Sequence, residues 1–198
     1  MKLIIATHNS HKITEFSRIL EPLGVQICTA ELSEAEETGT TFAENAFLKA
    51  QLACKETGLP AVADDSGICV DALNGQPGIY SARYGGEELN DKGRVRRLLK
   101  EMESVPKDKR GAHFTSAICC VFPNGDRIDA EGKCFGEIGY EPQGDGGFGY
   151  DPIFIQDGVS FGCLEAAEKD ARSHRGFALK DFAAQLNVYI ASNCLEFE

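Results

Sequence analysis

Leu3 to Ala6 is an unbroken apolar run, and Ile13, Phe16 and Leu20 then recur at helical spacing. The first pattern predicts a buried strand and the second an amphipathic helix beginning near Lys12, with Gly24 closing the unit. An acidic, irregular stretch covers 31–39. Thr41-Phe42-Ala43-Glu44 has the form of a capping box, which opens a helix by satisfying its first amides reciprocally. That helix is expected to reach about Glu56, where Gly58 and Pro60 supply a stop. Ala61-Val62-Ala63 is a short apolar run that reaches two adjacent carboxylates, Asp64 and Asp65, and the following Ser66-Gly67 predicts a turn. A second run spans 68–73. A turn at 74–78 and a glycine-flanked loop at 79–86 follow.

In the second half, Val95, Leu98, Leu99 and Met102 mark a helix over 91–103. Residues 114–122 and 126–135 read as two long strands joined at Pro123-Asn124-Gly125, where Asn-Gly is a strong hairpin signal. A glycine-dense segment covers 144–149, a strand is expected at 152–155, and helices at 164–170 and 174–191, the last with Ser173 as its N-cap. No repeat, linker or low-complexity tract interrupts the chain. Early alternation of strands and helices with a later long hairpin indicates an α/β fold with a mixed sheet, organised as one domain over 1–198.

Charge narrows the function. Twenty Lys and Arg face 31 Asp and Glu across 198 residues, a formal net charge of −11. Such a field repels DNA and RNA, whose binding rests on neutralising many phosphates, and it disfavours anionic membrane surfaces. A small anion accompanied by a divalent metal remains allowed. The N-terminal apolar run is too short for a signal peptide, and no stretch approaches the roughly 18 apolar residues of a membrane span. The eight cysteines contain no C-x-x-C pair, which argues against structural zinc. A cytoplasmic protein with reduced thiols is therefore expected.

Four segments carry candidate chemistry. Adjacent carboxylates at Asp64 and Asp65 repel each other and are steadied by a cation, although a polar turn capped by Asp65 or Ser66 is a competing reading. Thr7 to Glu15 reads as a phosphate grip: Thr7, Asn9, Ser10 and loop amides offer donors, and Lys12 adds charge at a helix start. It lacks the glycines of a Walker loop. Gly144 to Gly149 formally satisfies G-x-G-x-x-G, but no apolar strand precedes it and Asp151-Pro152 leads into a strand, so a dinucleotide fold is rejected. Its glycines suit close approach to a flat ligand, with Phe148 available to stack on a base. Ser173-His174-Arg175-Gly176 sets two hydrogen-bonding groups at a helix start, with Lys169 shortly before. Glu36, Glu37 and Glu44 could each complete a magnesium site. No Ser-His-Asp or Cys-His order stands out, so no covalent nucleophile is indicated.

Taken together, these segments resemble the inosine triphosphate pyrophosphatase family over nearly the whole chain. The resemblance rests on Thr7-x-Asn9-x-x-Lys12-x-x-Glu15, Thr41-Phe42-x-Glu44-Asn45-Ala46-x-x-Lys49-Ala50 and Ala63-Asp64-Asp65-Ser66-Gly67. It continues through Pro77 to Tyr84, Gly146-Gly147-Phe148-Gly149-Tyr150-Asp151-Pro152 and Ser173 to Gly176.

The resemblance implies an elongated mixed β-sheet flanked by helices, with two lobes and a central cleft, and a homodimer. It implies magnesium-dependent hydrolysis of ITP, dITP and XTP to the monophosphate and pyrophosphate. The family's phosphate loop falls on Thr7, His8, Asn9, Ser10, His11 and Lys12. Its catalytic acid and metal ligand falls on Asp65, with Ser66 contacting substrate. A second metal carboxylate falls on Glu36, with Glu37 as the alternative. Base recognition falls on Phe148, Gly149, Tyr150 and Asp151, completed by Lys169, His174 and Arg175. Alternatives are a pyrophosphatase of modified pyrimidine nucleotides, a nucleotide sensor without catalysis, and a metal-dependent phosphatase that releases orthophosphate.

Overall fold

The computed structural model describes residues 1–193. Cys194 lies outside them. The first apolar run becomes β1 (Lys2–Ile5), and Asn9 caps α1 (Ser10–Leu20) by accepting from the His11 and Lys12 amides. The helix thus begins two residues before Lys12. A short β2 (Gln26–Cys28), too brief to show a pattern, follows it. Residues 29–39 form no helix or strand. Thr41 and Glu44 form the expected capping box at the head of α2 (Phe42–Thr57), which Gly58 ends in a left-handed conformation.

The first departure from the sequence expectation comes next. β3 (Ala61–Val70) runs unbroken through Asp64, Asp65 and Gly67, where a turn was expected. Gly67 serves close approach: a Cβ there would lie 2.4 Å from both the Gly78 carbonyl oxygen and Ser81 Oγ. Residues 78–83, expected as a loop, wind into a 3-10 turn. The helix α3 (Asp91–Glu101) and the long strands β4 (Gly111–Val121) and β5 (Arg127–Ile138) follow, the strands joined by the tight turn at 122–126. Pro152 draws 151–153 into a 3-10 turn, so the next strand, β6 (Phe154–Gln156), starts later than expected, and β7 (Val159–Ser160) pairs with it. α4 (Ala166–Arg172) ends at Ser173, and α5 (His174–Ser192) begins at once. Ser173 thus closes α4 and, as the residue directly before α5, also stands at the expected N-cap position with extended backbone (φ −85°, ψ 156°).

The sheet is mixed and seven-stranded, in the order β2-β1-β3-β4-β5-β6-β7. β1 lies parallel to β2 and β3, while β5, β6 and β7 pair antiparallel. The chain packs as two compact units. Among the described residues the first comprises Met1–Asp65, Ser116–Gly132 and 174–193; the second comprises Ser66–Thr115 and Lys133–Ser173.

In the first unit, successive strand residues face opposite layers. Val62, Ile118 and Cys120 pack with Phe16 and Leu20 of α1 and Phe182 and Leu186 of α5. The alternate positions Ala63, Ala117 and Cys119 pack with Ala46 and Ala50 of α2, where small side chains let the helix sit close. The second unit has its own core, in which Phe114, Phe154 and Phe161 meet as an aromatic trio beside Val95, Leu98 and Met102.

Candidate active site

Period-two alternation decides the fate of the two acids. Asp64 shares the face of Val62, toward α1 and α5. Asp65 shares the face of Ala61 and Ala63, toward α2. Adjacent in sequence, they serve different layers.

On the α1/α5 face, Asp64 is the hub of a buried ionic web. Its Oδ1 lies 2.5 Å from Lys12 Nζ and accepts from Arg175 Nη2 at 3.2 Å. Its Oδ2 accepts from Ser116 Oγ at 2.5 Å and Arg175 Nε at 3.3 Å. Arg175 Nη1 donates to Glu15 Oε2 at 2.6 Å. Two cations balance two anions, and each carboxylate is hydrogen-bonded as well as charge-paired, the condition under which buried ions are tolerated. Burial pulls the Asp64 carboxyl upward, but Arg175 and Lys12 outweigh it and hold the group well below the usual aspartate range. Burial also pulls the Lys12 ammonium below its usual range, with Asp64 opposing. The loop before it is ordered by its own side chains: Thr7 Oγ1 accepts from the Asn9 amide at 3.1 Å.

On the α2 face, Asp65 meets residues one helical turn apart. Lys49 Nζ lies 2.8 Å from Asp65 Oδ1 and 2.9 Å from Glu37 Oε1, so one ammonium bridges two carboxylates. Asn45 Nδ2 donates to Asp65 Oδ2 at 3.4 Å, while Asn45 Oδ1 accepts from the Gly39 amide at 2.8 Å and anchors the acidic loop. A Cβ at Gly39 would lie 2.6 Å from that oxygen. Burial raises the Asp65 carboxyl above its usual range, Lys49 lowers it, and Glu37 raises it again. Glu36, the first choice from sequence for the second metal carboxylate, lines a groove with Leu48, Leu52 and Lys55. Glu37 is the glutamate brought to Asp65. Glu44 serves its helix cap, accepting from the Thr40 amide at 2.6 Å.

Asp65 and Glu37 offer hard oxygen donors of the kind magnesium takes, and Lys49 shows that their junction accepts positive charge. Among the described residues no three His, Cys, Asp or Glu side chains converge as a metal cluster. Two carboxylates suit magnesium, which fills its remaining positions with water and substrate phosphate.

In the second unit, Asp151 organises the glycine-rich strip. Its Oδ2 accepts from the Phe148 amide at 2.8 Å and pairs with Lys169 Nζ at 2.6 Å, both side chains almost wholly buried. The same ammonium lies 4.6 Å from the Phe148 ring centroid. Gly147 has φ +69°, and a Cβ there would lie 2.1 Å from Asp151 Oδ2. The Gly149 amide donates to Asp91 Oδ2 at 2.9 Å, and Tyr150 Oη donates to the Ser81 carbonyl at 3.0 Å.

Of the residues expected from sequence to serve the base, Phe148, Gly149, Tyr150, Asp151 and Lys169 lie together in the second unit, and His174 and Arg175 lie in the first. Both of the latter are buried, and three of the five N–H groups of Arg175 go to carboxylates. His8 and His11 are exposed, and Ser66 is the strand residue after Asp65. Lys49, Asn45 and Ser116 were not singled out as site residues. Asn45 and Lys49 did carry a signal, since their i, i+4 spacing puts them on one helix face.

A family model described as the Ham1 family matches residues 3–185. The chain belongs to the Ham1 family. It is 45% identical to a dITP/XTP pyrophosphatase of Frankia alni, over 97% of this chain and all of that one. It is 44% identical to a dITP/XTP pyrophosphatase of Haemophilus influenzae, over 93% of this chain and 98% of the relative. Among solved structures, a HAM1 protein from Coxiella burnetii superposes with a TM-score of 0.86 at 38% identity, covering 94% of this chain and 98% of that one. The expected mixed sheet flanked by helices is therefore the fold of this chain, and it is shared with solved HAM1 proteins.

Proposed function

We propose that this chain hydrolyses non-canonical purine nucleoside triphosphates, namely dITP, ITP and XTP, at the α–β phosphoanhydride to give the monophosphate and pyrophosphate. The observation that carries the reading is the paired apparatus of the first unit: Lys12 held by Asp64 on one face of β3, and Asp65 with Glu37 around Lys49 on the other. The relatives' activity points to the same chemistry.

Lys12 contributes a cation beside the first helical turn, where the α1 dipole already favours phosphate oxygens. Asp65 orients the attacking water and takes its proton. Magnesium held by Asp65 and Glu37 would neutralise charge on the phosphates as the anhydride breaks. Phe148 offers a flat apolar face for a purine, with the Lys169 ammonium beside it as a donor suited to a 6-carbonyl. Adenine presents an amino donor there, and each buried donor left unpaired costs roughly 1–3 kcal/mol.

A homodimer and a cytoplasmic location belong to the same proposal. Cys54, Cys119 and Cys120, buried in the core without disulfides, support the second. No helix among the described residues is long and apolar enough to cross a membrane.

The test is Asp65→Asn assayed for pyrophosphate release from ITP with magnesium. Turnover is expected to fall about 100-fold or more with the circular dichroism spectrum unchanged. Near-normal turnover, or orthophosphate as the product of the wild type, would overturn the reading.

A further inference from the structure

Lys49 is the unusual member of the Asp65 cluster. Its ammonium bridges Asp65 Oδ1 at 2.8 Å and Glu37 Oε1 at 2.9 Å, with only 15% of its side chain exposed. A cation equidistant from two carboxylates stands where a divalent ion shared by them would stand. A metal–oxygen distance of about 2.0–2.1 Å leaves no room for an ammonium between the same oxygens. The two cations therefore compete for one position.

We propose that Lys49 is a built-in counter-ion that fills the metal position of the metal-free enzyme and sets how tightly a divalent cation binds there; this rests on the metal role given above to Asp65 and Glu37. Without a cation the two carboxylates repel each other across a half-buried junction. With Lys49 in place the cluster is held in register, and Asn45 ties the loop that carries Glu37 to the same carboxylate. An incoming metal must displace the ammonium, and its apparent affinity falls by the strength of the contacts broken. The displaced ammonium then needs another anion, and a polyphosphate supplies one. Metal and triphosphate consequently favour each other's binding through Lys49, beyond any direct metal–phosphate contact. Free metal binds weakly, and the ion becomes tightly held when the anion is present.

The probe is Mn2+, measured by titration calorimetry or by loss of the free-ion EPR signal, on wild type, Lys49→Met and Lys49→Gln. Asp65→Asn locates the site, and thermal unfolding establishes that each variant is folded. Mn2+ is expected to bind both Lys49 variants about tenfold or more tightly than wild type, and that gain is expected to vanish when Asp65→Asn is added. A triphosphate with a methylene α–β bridge is expected to raise Mn2+ affinity by a larger factor in wild type than in Lys49→Met. Asp65-dependent binding that is no tighter in either variant, or an equal enhancement by the analogue in both backgrounds, overturns the Lys49 proposal and leaves the metal site standing. Absence of any Asp65-dependent Mn2+ binding overturns both.

Discussion

Lys12 Nζ lies 2.5 Å from Asp64 Oδ1, so the ammonium at the start of α1 is paired with the first of the two adjacent acids and leaves the second to Lys49. This pairing divides the labour along β3. Asp64 fixes the position of the Lys12 ammonium, and Asp65, one residue on and on the opposite face, meets Lys49 instead. Lys12 still lies close enough to lower the Asp65 carboxyl, so the two faces are electrostatically linked.

Removing the Asp64 charge leaves two cations, Lys12 and Arg175, against the one carboxylate of Glu15. Asp64→Asn is expected to lose about 3–5 kcal/mol of stability, the usual cost of breaking one partner out of a buried pair. Because the folded-state carboxyl titrates below its unfolded value, its contribution is present above about pH 4 and is lost as pH falls through the folded pKa. Urea unfolding of wild type and Asp64→Asn from pH 7 to pH 2.5 will show whether the gap narrows below pH 4. A constant gap would remove ionisation from the account.

Arg175 holds Asp64 and Glu15 together, and lysine cannot reproduce its forked donation. Arg175→Lys is expected to destabilise the protein by about 2 kcal/mol or more, and Arg175→Ala by more still. A double-mutant cycle with Glu15→Gln is expected to give a coupling energy of at least about 1 kcal/mol. Full stability in Arg175→Ala with lost discrimination against ATP would return Arg175 to base recognition.

The Lys12 ammonium titrates below the ordinary lysine range. As pH rises, Lys12 therefore loses its charge before a free lysine does, and with it the attraction for phosphate. The KM for ITP is expected to climb on the alkaline side, below pH 10.5, while Lys12→Arg keeps its charge and removes that limb. Initial-rate kinetics from pH 7 to pH 10 check this.

Gly147 makes room for Asp151. Gly147→Ala sets a Cβ against Asp151 Oδ2 and forces an alanine into a left-handed conformation, a cost of about 1–2 kcal/mol before any displacement. Asp151 is the shared partner of Lys169 and the Phe148 amide. KM for ITP is therefore expected to rise at least about fivefold. Phe148→Ala is expected to raise it further, since base–aromatic stacking is worth about 1–3 kcal/mol. An unchanged KM in Phe148→Ala would exclude stacking on that ring.

The elements with local signals were legible. The capping box at Thr41 and Glu44 uses residues three apart, the Asn124-Gly125 turn uses neighbours, and the stripe Ile13, Phe16, Leu20 repeats within one helix. Gly67 misled, because a glycine that permits close approach to Gly78 and Ser81 looks in sequence like a glycine that turns the chain. Ser173 was legible as the residue before the last helix, but its second position, at the end of α4, shows only where the two helices abut.

By itself the sequence determined that two carboxylates end a short apolar run, that a lysine sits at the first helix start, and that a phenylalanine lies in a glycine-rich strip. Motif order along nearly the whole chain determined the family. Tertiary structure decided who pairs with whom: Asp64 with Lys12 and Arg175, 52 and 111 residues away, and Asp65 with Lys49 and Glu37. Sequence spacing carries no information about such distances. Strand alternation does, but it acts only once 61–70 is known to be one strand, and only then do the two neighbours face opposite ways.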